Sequence, residues 1–551
     1  MVHENVIYAN RDLCDMPASK PVFVRDATGL VRELGFFDQF VLSQAIIVIL
    51  NGFVLTALFA PYFFPGAHLG LVFLLGSIPA FAMAAVYSKL SAAIPRSGGD
   101  YVWSSRILGP LFGSVQFVFL FITTVIIGVG LSTYSIVTIA LSQWAFTLGV
   151  TTNNPGLISL AKTMTTPGVG YPIAVGLIVL ETVVSLFSLR VFSVFQRVCV
   201  GIFLVINIGF IVLLFTVNPS TFPALFDHAM QVAGSSATYN GIIQQASQSW
   251  FAGTQFNLTN TALAAIPWGF LTFTGFNFGA YLAGETKNVK SSITRALFLS
   301  VIVTIIALLV MAQMVYNDFG STFLNSASYV QATNAASLPT LPTTTMMLSL
   351  TSPFAAFFLG LGLTLGWVVV CVAYVVTIAR MFFAAAFDRL LPTKFAEVSE
   401  RFHSPQYAII VVSFIWFLFI TFLWNAGFAV GWLTVGIIPP IGYMLPFVAA
   451  LLFPFAKKDL FKRTVGAMGQ GWVITVGSLV GIGAFLFYIL ALTFPLSGAL
   501  GTVYLGTNLT LAMESVSVFI IFGLVIYFTA KLRLSRMGLN ISAAYKEIPP
   551  E

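Results

Sequence analysis

Two apolar segments of this chain each contain a polar, glycine-bearing step near the middle. The first, FDQFVLSQAIIVILNGFVLTALFA, runs from Phe37 to Ala60, and its step comprises Leu50, Asn51, Gly52 and Phe53. The second, TALAAIPWGFLTFTGFNFGAYL, runs from Thr261 to Leu282, and its step comprises Thr274, Gly275, Phe276 and Asn277, with Phe273 before it as a further candidate for substrate contact. A helix in lipid must satisfy its own backbone groups, so irregular backbone is tolerated only where protein or a water-filled cavity covers it. The two steps therefore predict broken helices that line a cavity.

Composition places the chain in a membrane. Of its 551 residues, 58% are hydrophobic and 8% are charged, whereas soluble domains carry roughly 25% charged residues. About 20 apolar residues are needed to cross the hydrocarbon core. Twelve segments meet this requirement: Phe37 to Ala60, Leu69 to Ala92, Leu111 to Trp144, Tyr171 to Leu189, Val191 to Val217, Thr261 to Leu282, Ala296 to Tyr316, Pro353 to Arg380, Tyr407 to Leu423, Gly427 to Phe453, Trp472 to Phe494 and Leu511 to Ala530. The sequence therefore predicts an all-α polytopic membrane protein with twelve transmembrane helices.

The distribution of basic residues predicts the orientation. Twelve spans place both termini on one side, and 24 of the 25 Lys and Arg residues fall on that side, with Lys162 as the exception. Short cytoplasmic loops collect Lys and Arg, so we expect a multi-pass protein of the cytoplasmic membrane with both termini in the cytoplasm. The net charge of +7 then follows from topology, and membrane lipid rather than nucleic acid is the expected partner.

Cysteine and sequon positions add little to this picture. Cys14, Cys199 and Cys371 lie in the tail or within spans, which predicts no external disulfide framework. No short apolar segment precedes a cleavage site in the first 36 residues, so we expect the first span to be retained. Asn257 and Asn508 begin N-x-T triplets on the outer side, and such triplets predict glycosylation only weakly.

The loop after the second span carries a family resemblance. Its sequence, IPRSGGDYVWSSRILGP from Ile94 to Pro110, resembles a signature of the amino acid, polyamine and organocation (APC) transporter superfamily. Three further segments match this superfamily in order and spacing: SLRVFSVFQRV from Ser188, FLTFTGFNFGAYLAGETKNVKSSITRAL from Phe270 and ARMFFAAAFDRLLPTKFAEVSERFHSPQYA from Ala379.

The resemblance implies a five-plus-five inverted repeat with two extra C-terminal helices. Substrate would bind between the broken first and sixth spans, flanked by the third and eighth. The implied division is a cytoplasmic tail at 1–36, a first repeat at 37–217, an extracellular loop at 218–260, a second repeat at 261–453, spans eleven and twelve at 454–530, and a cytoplasmic tail at 531–551.

The chain departs from the superfamily pattern at positions that serve ion coupling in relatives. Asn277 stands where many members carry an acid, and no Lys occurs in the fifth span near Phe203. Neither of the two groups through which relatives couple transport to protons can therefore be carried over to this chain. A sodium site would need hard oxygen ligands, but the eighth span offers no adjacent Ser or Thr pair. Its candidates are Thr364, Cys371, Tyr374 and Thr377. A proton is therefore favoured over sodium as a possible coupling ion.

Further candidate residues come from the flanking spans and the loop. Thr124, Trp367 and Tyr374 could reach the cavity, although aromatic residues in so apolar a chain also pack or face lipid, and Asn51 and Gly52 could instead serve helix packing. In the loop, proline ends a helix and glycine permits positive φ, which predicts a gate support with Arg96, Asp100 and Arg106 facing water or each other. The predicted loop residues are Pro95, Arg96, Gly98, Gly99, Asp100 and Tyr101.

These patterns predict a secondary active permease that moves amino acids by alternating access. The start of a half-helix attracts a carboxylate, and unwound carbonyls attract an ammonium group. The spans expected to line the cavity carry no acid near their middle, so a cationic side chain would lack a partner and neutral amino acids are favoured. The alternatives are a non-transporting sensor or channel-like protein on the same fold, or a carrier of polyamines or other organocations.

Little in the sequence suggests an enzyme, a metal site or a cofactor. The four histidines, His3, His68, His228 and His403, lie in the tail or loops, and we find no catalytic motif. Glu181 and Glu514 fall within spans, where a carboxyl is costly. Neither span is expected to line the cavity, so a neutral or hydrogen-bonded structural role is at least as well supported. The sequence does not specify the oligomeric state.

Overall fold

The computed structural model describes residues 32–249, 255–336, 338–426, 438–493, 508–541 and Tyr545. Predictions for the tail before residue 32, for the start of the tenth span at 427–437 and for the end of the eleventh span at Phe494 lie outside the described residues. The described part is almost entirely helical, and an isolated bridge joins Leu34 to Thr286.

The helices follow in chain order. The first ten are α1 (Phe36–Ile47), α2 (Ile49–Phe63), α3 (Leu69–Ala93), α4 (Gly99–Ile107), α5 (Pro110–Thr151), α6 (Pro155–Met164), α7 (Pro167–Leu186), α8 (Leu189–Leu214), α9 (Phe222–Val232) and α10 (Tyr239–Ser249). Next, α11 (258–273) joins Leu258–Ala264, a π-helical turn at Ala265–Phe270 and Leu271–Phe273, and a 3₁₀ helix follows at Phe276–Glu285. The remainder are α12 (Val289–Thr333), α13 (Thr344–Ser349), α14 (Pro353–Phe387), α15 (Gln406–Ala426), α16 (Ile438–Ala456), α17 (Lys458–Phe461), α18 (Gly471–Thr493) and α19 (Asn508–Arg536).

The prediction of an all-α polytopic membrane protein is confirmed. Within the described residues, 11 helices are long and apolar enough to cross a membrane. The predicted sixth span is not one of them, because α11 and the 3₁₀ helix divide it into short pieces. The total of twelve spans and the inverted repeat stay predictions.

Two of the predicted spans ended too early. α5 continues to Thr151 and α12 to Thr333, beyond the predicted ends at Trp144 and Tyr316. α5 extends as regular α-helix at Ser142–Thr151, whereas α12 passes its predicted end through a π-helical turn at Tyr316–Gly320. The region between α5 and α7 also contains α6, which begins where the Asn154 side chain accepts hydrogen bonds from the backbone at 3.0 and 3.3 Å. Such a cap stabilises a helix start regardless of hydropathy.

The core forms around α14, which packs against α1, α5, α7, α8 and α15. Beside it, α3 and α11 approach closely at two glycines. A Cβ atom at Gly76 would lie 2.4 Å from the Gly269 carbonyl carbon, and one at Gly269 would lie 2.2 Å from the Val72 oxygen. Small residues at such crossings let helix backbones touch, as membrane helices require. This contact fixes α11 against the bundle just before its break.

The outer helices present apolar faces to their surroundings. Along α8 the exposed side chains recur every three or four residues: Val191, Val194, Val198, Ile202, Val205, Ile208, Val212 and Phe215. A continuous apolar stripe on a helix surface is costly in water and favourable in lipid. The stripe therefore matches a membrane environment.

Candidate functional site

The break in the first span lies at Val48. α1 ends at Ile47, α2 begins at Ile49, and between them Val48 has φ 41° and ψ 69°. Positive φ at a β-branched residue costs about 1–3 kcal/mol and persists only where packing holds it. The prediction of a break from Leu50 onward was wrong by two residues.

Gly52 lies within regular helix for a packing reason. A Cβ atom at this position would lie 2.6 Å from Thr272 Cγ2, so the absence of a side chain lets α2 approach α11. The glycine that suggested a break in the sequence instead brings the two interrupted spans together.

The kink at Val48 leaves backbone groups without helical partners. The first three N–H groups of a helix, here those of Ile49, Leu50 and Asn51, have no acceptor within that helix. They carry the partial positive charge of the start of α2. The kink therefore creates a site in the middle of the span that favours negative charge.

The second break lies at Thr274 and Gly275, where the sequence predicted it. α11 ends at Phe273, Thr274 has ψ 143°, and Gly275 has φ 95°. A Cβ atom at Gly275 would lie 2.0 Å from Ile46 Cγ2 and 2.8 Å from the Tyr374 hydroxyl. Both the backbone angle and the lack of space therefore require glycine here.

A cavity of about 90 Å³ lies between the two breaks. Its wall consists of uncharged residues from α1, α2, α5, α11 and α14: Ile46, Ile47, Val48, Asn51, Gly52, Leu55, Thr56, Leu131, Ser132, Ser135, Trp268, Leu271, Thr272, Thr274, Trp367, Val370 and Tyr374. Hydroxyl and amide groups share the wall with indole and aliphatic groups. The cavity can thus contact both polar and apolar parts of a solute.

The structure brings some of the predicted site residues together at this cavity and places others behind its wall. Those that line it are Asn51, Gly52, Thr274, Trp367 and Tyr374. Those that do not are Leu50, Phe53, Phe273, Gly275, Phe276 and Asn277, of which Phe53 packs against the Phe73 and Phe210 rings at 5.8 and 6.3 Å. Thr124 lines a smaller neighbouring cavity, and its hydroxyl donates to the Leu120 carbonyl at 2.8 Å.

Sequence reasoning missed several residues of the wall. The Thr56 and Thr272 hydroxyls lie 3.0 Å apart across α2 and α11, and Ser132 and Ser135 come from α5. The serines are three residues apart, a spacing that places both on one helix face. That spacing was the available signal, whereas the contact between the two threonines depends on how α2 and α11 pack.

Asn51 connects α2 to α14 beside the cavity. Its side-chain amide donates to the Leu363 carbonyl at 2.8 Å, and its Oδ1 has no hydrogen-bond partner within the described residues. A Cβ atom at Gly366 would lie 2.3 Å from this oxygen, so the glycine makes room for the amide. The remaining acceptor is adjacent to the cavity.

Comparison with known proteins identifies the family. A family model described as amino acid permease matches residues 34–522. The chain belongs to the amino acid permease family. It is thus a membrane transporter of amino acids or related organocations. No individual curated protein matches the sequence significantly.

Three ion pairs join helices at one end of the permease. We call this end, which carries Arg106, Arg197 and Arg380, the basic face. Arg106 contacts Asp388 at 2.6 Å, Arg380 contacts Glu285 at 3.1 Å, and the exposed Arg197 contacts Asp38 at 2.7 Å. These bonds join α4 to the end of α14, the 3₁₀ helix to α14, and α1 to α8. At the basic face these pairs therefore hold the helix ends together.

The predicted loop residues are buried at the basic face. Arg96, Asp100 and Arg106 are each no more than 3% exposed, so the expectation that they could face water was wrong. The helix α4 turns inward because Gly98 and Gly99 have positive φ, and the Gly98 N–H donates to the Tyr281 carbonyl at 3.0 Å. The loop packs against the second half of the broken sixth span.

Burial changes the acidity of two of these groups. Desolvation raises the pKa of the Asp100 carboxyl to about 7, although the hydrogen bond from the Tyr87 hydroxyl opposes the shift. For Arg106, burial alone would lower the pKa, but the adjacent Asp388 carboxylate outweighs it and raises the pKa of the guanidinium. Arg106 therefore stays charged, whereas Asp100 can change charge near neutral pH.

Proposed function

We propose that this permease carries neutral amino acids across the cytoplasmic membrane by alternating access. The observation that supports this most directly is an uncharged cavity bounded by two interrupted helices. A zwitterion presents both charges to such a site. The substrate carboxylate would bind the N–H groups at the start of α2 near Asn51 and Gly52, and its ammonium group would bind the carbonyls around Phe273, Thr274, Gly275 and Phe276.

The cavity wall favours a neutral side chain. Trp268, Trp367 and Val370 offer apolar surface, and no described wall residue carries a charge that could balance a second ammonium group. A cation without a partner in such a site is costly, which disfavours polyamines and dibasic amino acids.

The ion pairs at the basic face support an alternating mechanism. They would hold closed the side that we assign to the cytoplasm from the distribution of Lys and Arg. Release of the substrate inward would require α1 and the 3₁₀ helix to separate from α8 and α14. The Asp38–Arg197 and Glu285–Arg380 pairs would then break and re-form in each cycle.

We propose a proton rather than sodium as the coupling ion. In α14 the Thr364 hydroxyl donates to the Gly360 carbonyl at 2.8 Å, and the Thr377 hydroxyl donates to the Ala373 carbonyl at 2.8 Å. Both hydroxyl oxygens keep their lone pairs, but the two threonines are 13 residues apart on the same helix, about 20 Å along its axis. They therefore cannot ligate one sodium ion together, and α14 offers no paired hard oxygen ligands.

Binding and counterflow measurements test the proposed function. Purified permease would be screened by thermal shift against all natural amino acids and polyamines, and each positive compound would be tested for counterflow in proteoliposomes. We expect stabilisation by a subset of neutral amino acids and exchange of the same compounds. Binding without counterflow would indicate a sensor, and stabilisation by polyamines alone would contradict the assignment of neutral substrates.

A further inference from the structure

Asp100 is a buried carboxyl where α4 meets the second half of the broken sixth span. It is fully buried near the start of α4, and its Oδ2 accepts a hydrogen bond from the Tyr87 hydroxyl at 2.8 Å. Its Oδ1 has no hydrogen-bond partner within the described residues. Buried polar atoms almost always have a partner, so an unpaired carboxyl oxygen at this place indicates a group that binds something further.

The groups that face Asp100 are phenols rather than cations. They are Tyr87 from α3, Tyr281 from the 3₁₀ helix and Tyr443 from α16. The neighbouring half of α5, Pro110–Thr123, has no ionisable side chain. A carboxylate in this setting is uncompensated, and binding a proton removes the cost of its charge.

The nearby charged groups have other partners. Arg106 of α4 pairs with Asp388, which follows α14, and Arg380 of α14 pairs with Glu285 of the 3₁₀ helix. Arg96 lies over the Phe387 ring at 5.5 Å. Thus, in the part of the chain that the structure describes, no basic group neutralises Asp100.

The phenols connect Asp100 to both the broken span and the substrate cavity. Tyr281 lies six residues after Gly275 in the sequence, and a Cβ atom at Gly99 would lie 2.6 Å from its ring. Tyr443 and Tyr374 line the small second cavity, and Tyr374 also lines the main cavity. A change of charge at Asp100 therefore acts on the second half of the sixth span. The tyrosines also link this position to the substrate cavity.

We propose that Asp100 is the site at which the permease binds the proton that drives amino acid uptake, and this inference rests on the proposed function. A proton from the outer side adds to the unpartnered Oδ1 and makes the carboxyl neutral, which favours the conformation with a closed basic face. Opening of that face exposes Asp100 to the cytoplasm, where the proton leaves. No other bond is made or broken.

A second buried acid provides the alternative. Both carboxyl oxygens of Glu181 in α7 are without hydrogen-bond partners in the described residues, and Cys371 of α14 lies near it. However, α7 packs against α5, α6, α14 and α15 rather than against the interrupted helices. Glu181 is thus less well placed to transmit a change of charge to the moving segments.

Uptake by proteoliposomes separates these alternatives. With its pKa near 7, the protonated fraction of Asp100 falls about tenfold between external pH 6 and pH 8, and we expect the uptake rate of the wild-type protein to fall by a similar factor. Asp100→Asn should abolish this dependence and the accumulation driven by an inward proton gradient. Tyr87→Phe removes a hydrogen-bond donor that stabilises the charged form of Asp100, so the midpoint of the pH profile of uptake should move to higher pH in this variant.

Glu181→Gln is the matched control, and it should retain the pH dependence of the wild-type protein. A flat profile in Glu181→Gln combined with a wild-type profile in Asp100→Asn would overturn the assignment. If the wild-type protein shows no counterflow, the proposed function itself fails. If counterflow occurs but uptake is independent of the proton gradient, the proposed function survives and the proton site does not.

The pH dependence of folding stability tests the same site without a transport measurement. Because burial raises the pKa of Asp100, the native state binds more protons than the unfolded state between about pH 4 and pH 7, so this residue makes stability fall as pH rises through that window. In detergent, the melting temperature of Asp100→Asn should therefore exceed that of the wild-type protein increasingly toward pH 8. A constant difference across this range would contradict a titrating Asp100. Asp459→Asn, at an exposed position, should leave the slope unchanged.

Discussion

At the scale of single residues, the two breaks are achieved differently. Gly275 has a positive φ and no room for a side chain, so its identity follows from geometry. Val48 adopts positive φ as a β-branched residue, which is unfavourable by itself. Its conformation is imposed by the packing around it rather than by its own preference.

Gly52→Leu tests the contact between α2 and α11. The new side chain would overlap Thr272, since even a Cβ atom lies 2.6 Å from Thr272 Cγ2, and it would occupy the cavity wall. We expect loss of the thermal shift caused by amino acids, with normal insertion into the membrane. Gly201→Leu on α8 is the control, because a Cβ atom there meets nothing within 4 Å. Unchanged substrate affinity in Gly52→Leu would refute the placement of the site.

At the scale of elements, the loop helix α4 attaches to the bundle through buried polar contacts. Arg106 and Asp388 have side chains that are each 1% exposed, and the Tyr101 hydroxyl donates to the same carboxylate at 3.1 Å. By contrast, Arg197 of the outer pair is 45% exposed. Two pairs at the same face therefore differ strongly in burial.

Arg106→Ala should destabilise the protein much more than Arg197→Ala. Removing one partner of a buried pair leaves an uncompensated charge and costs about 3–5 kcal/mol, whereas a solvent-exposed pair contributes about 0–1 kcal/mol. Unfolding in detergent with added denaturant measures both losses on the same scale. Equal losses in the two variants would contradict a structural role for the buried pair.

At the scale of the whole molecule, the ends of the bundle differ in charge. The described ion pairs gather at the basic face, whereas the opposite end carries Lys162 and long polar connections with short helices. The asymmetry is the expected sign of a fixed orientation in the membrane.

Cysteine labelling in intact cells tests this orientation. After Cys14, Cys199 and Cys371 are replaced by alanine, Thr165→Cys should react with a membrane-impermeant maleimide added outside. Ser535→Cys should react only after the cells are opened. Both positions are exposed in the structure, so access to the reagent depends on the side of the membrane. The reverse pattern of labelling would mean that the basic face lies outside.

The sequence alone determined the membrane class, most of the spans and the break at Gly275. Hydropathy and the need for glycine at positive φ are local properties, so they can be recognised along a single segment. The resemblance of the loop from Ile94 to Pro110 also led to the family. These features do not depend on how distant segments meet.

Only the tertiary structure decided where the first span breaks and which side chains meet at the cavity. Val48 has no local signal for a kink, and Thr272 became a wall residue through its contact with Thr56 across two helices. Asp100 was expected at a solvated loop and is instead enclosed by tyrosines from three other helices. Helix rotation and packing between segments hundreds of residues apart set these contacts, and periodicity within one segment does not encode them.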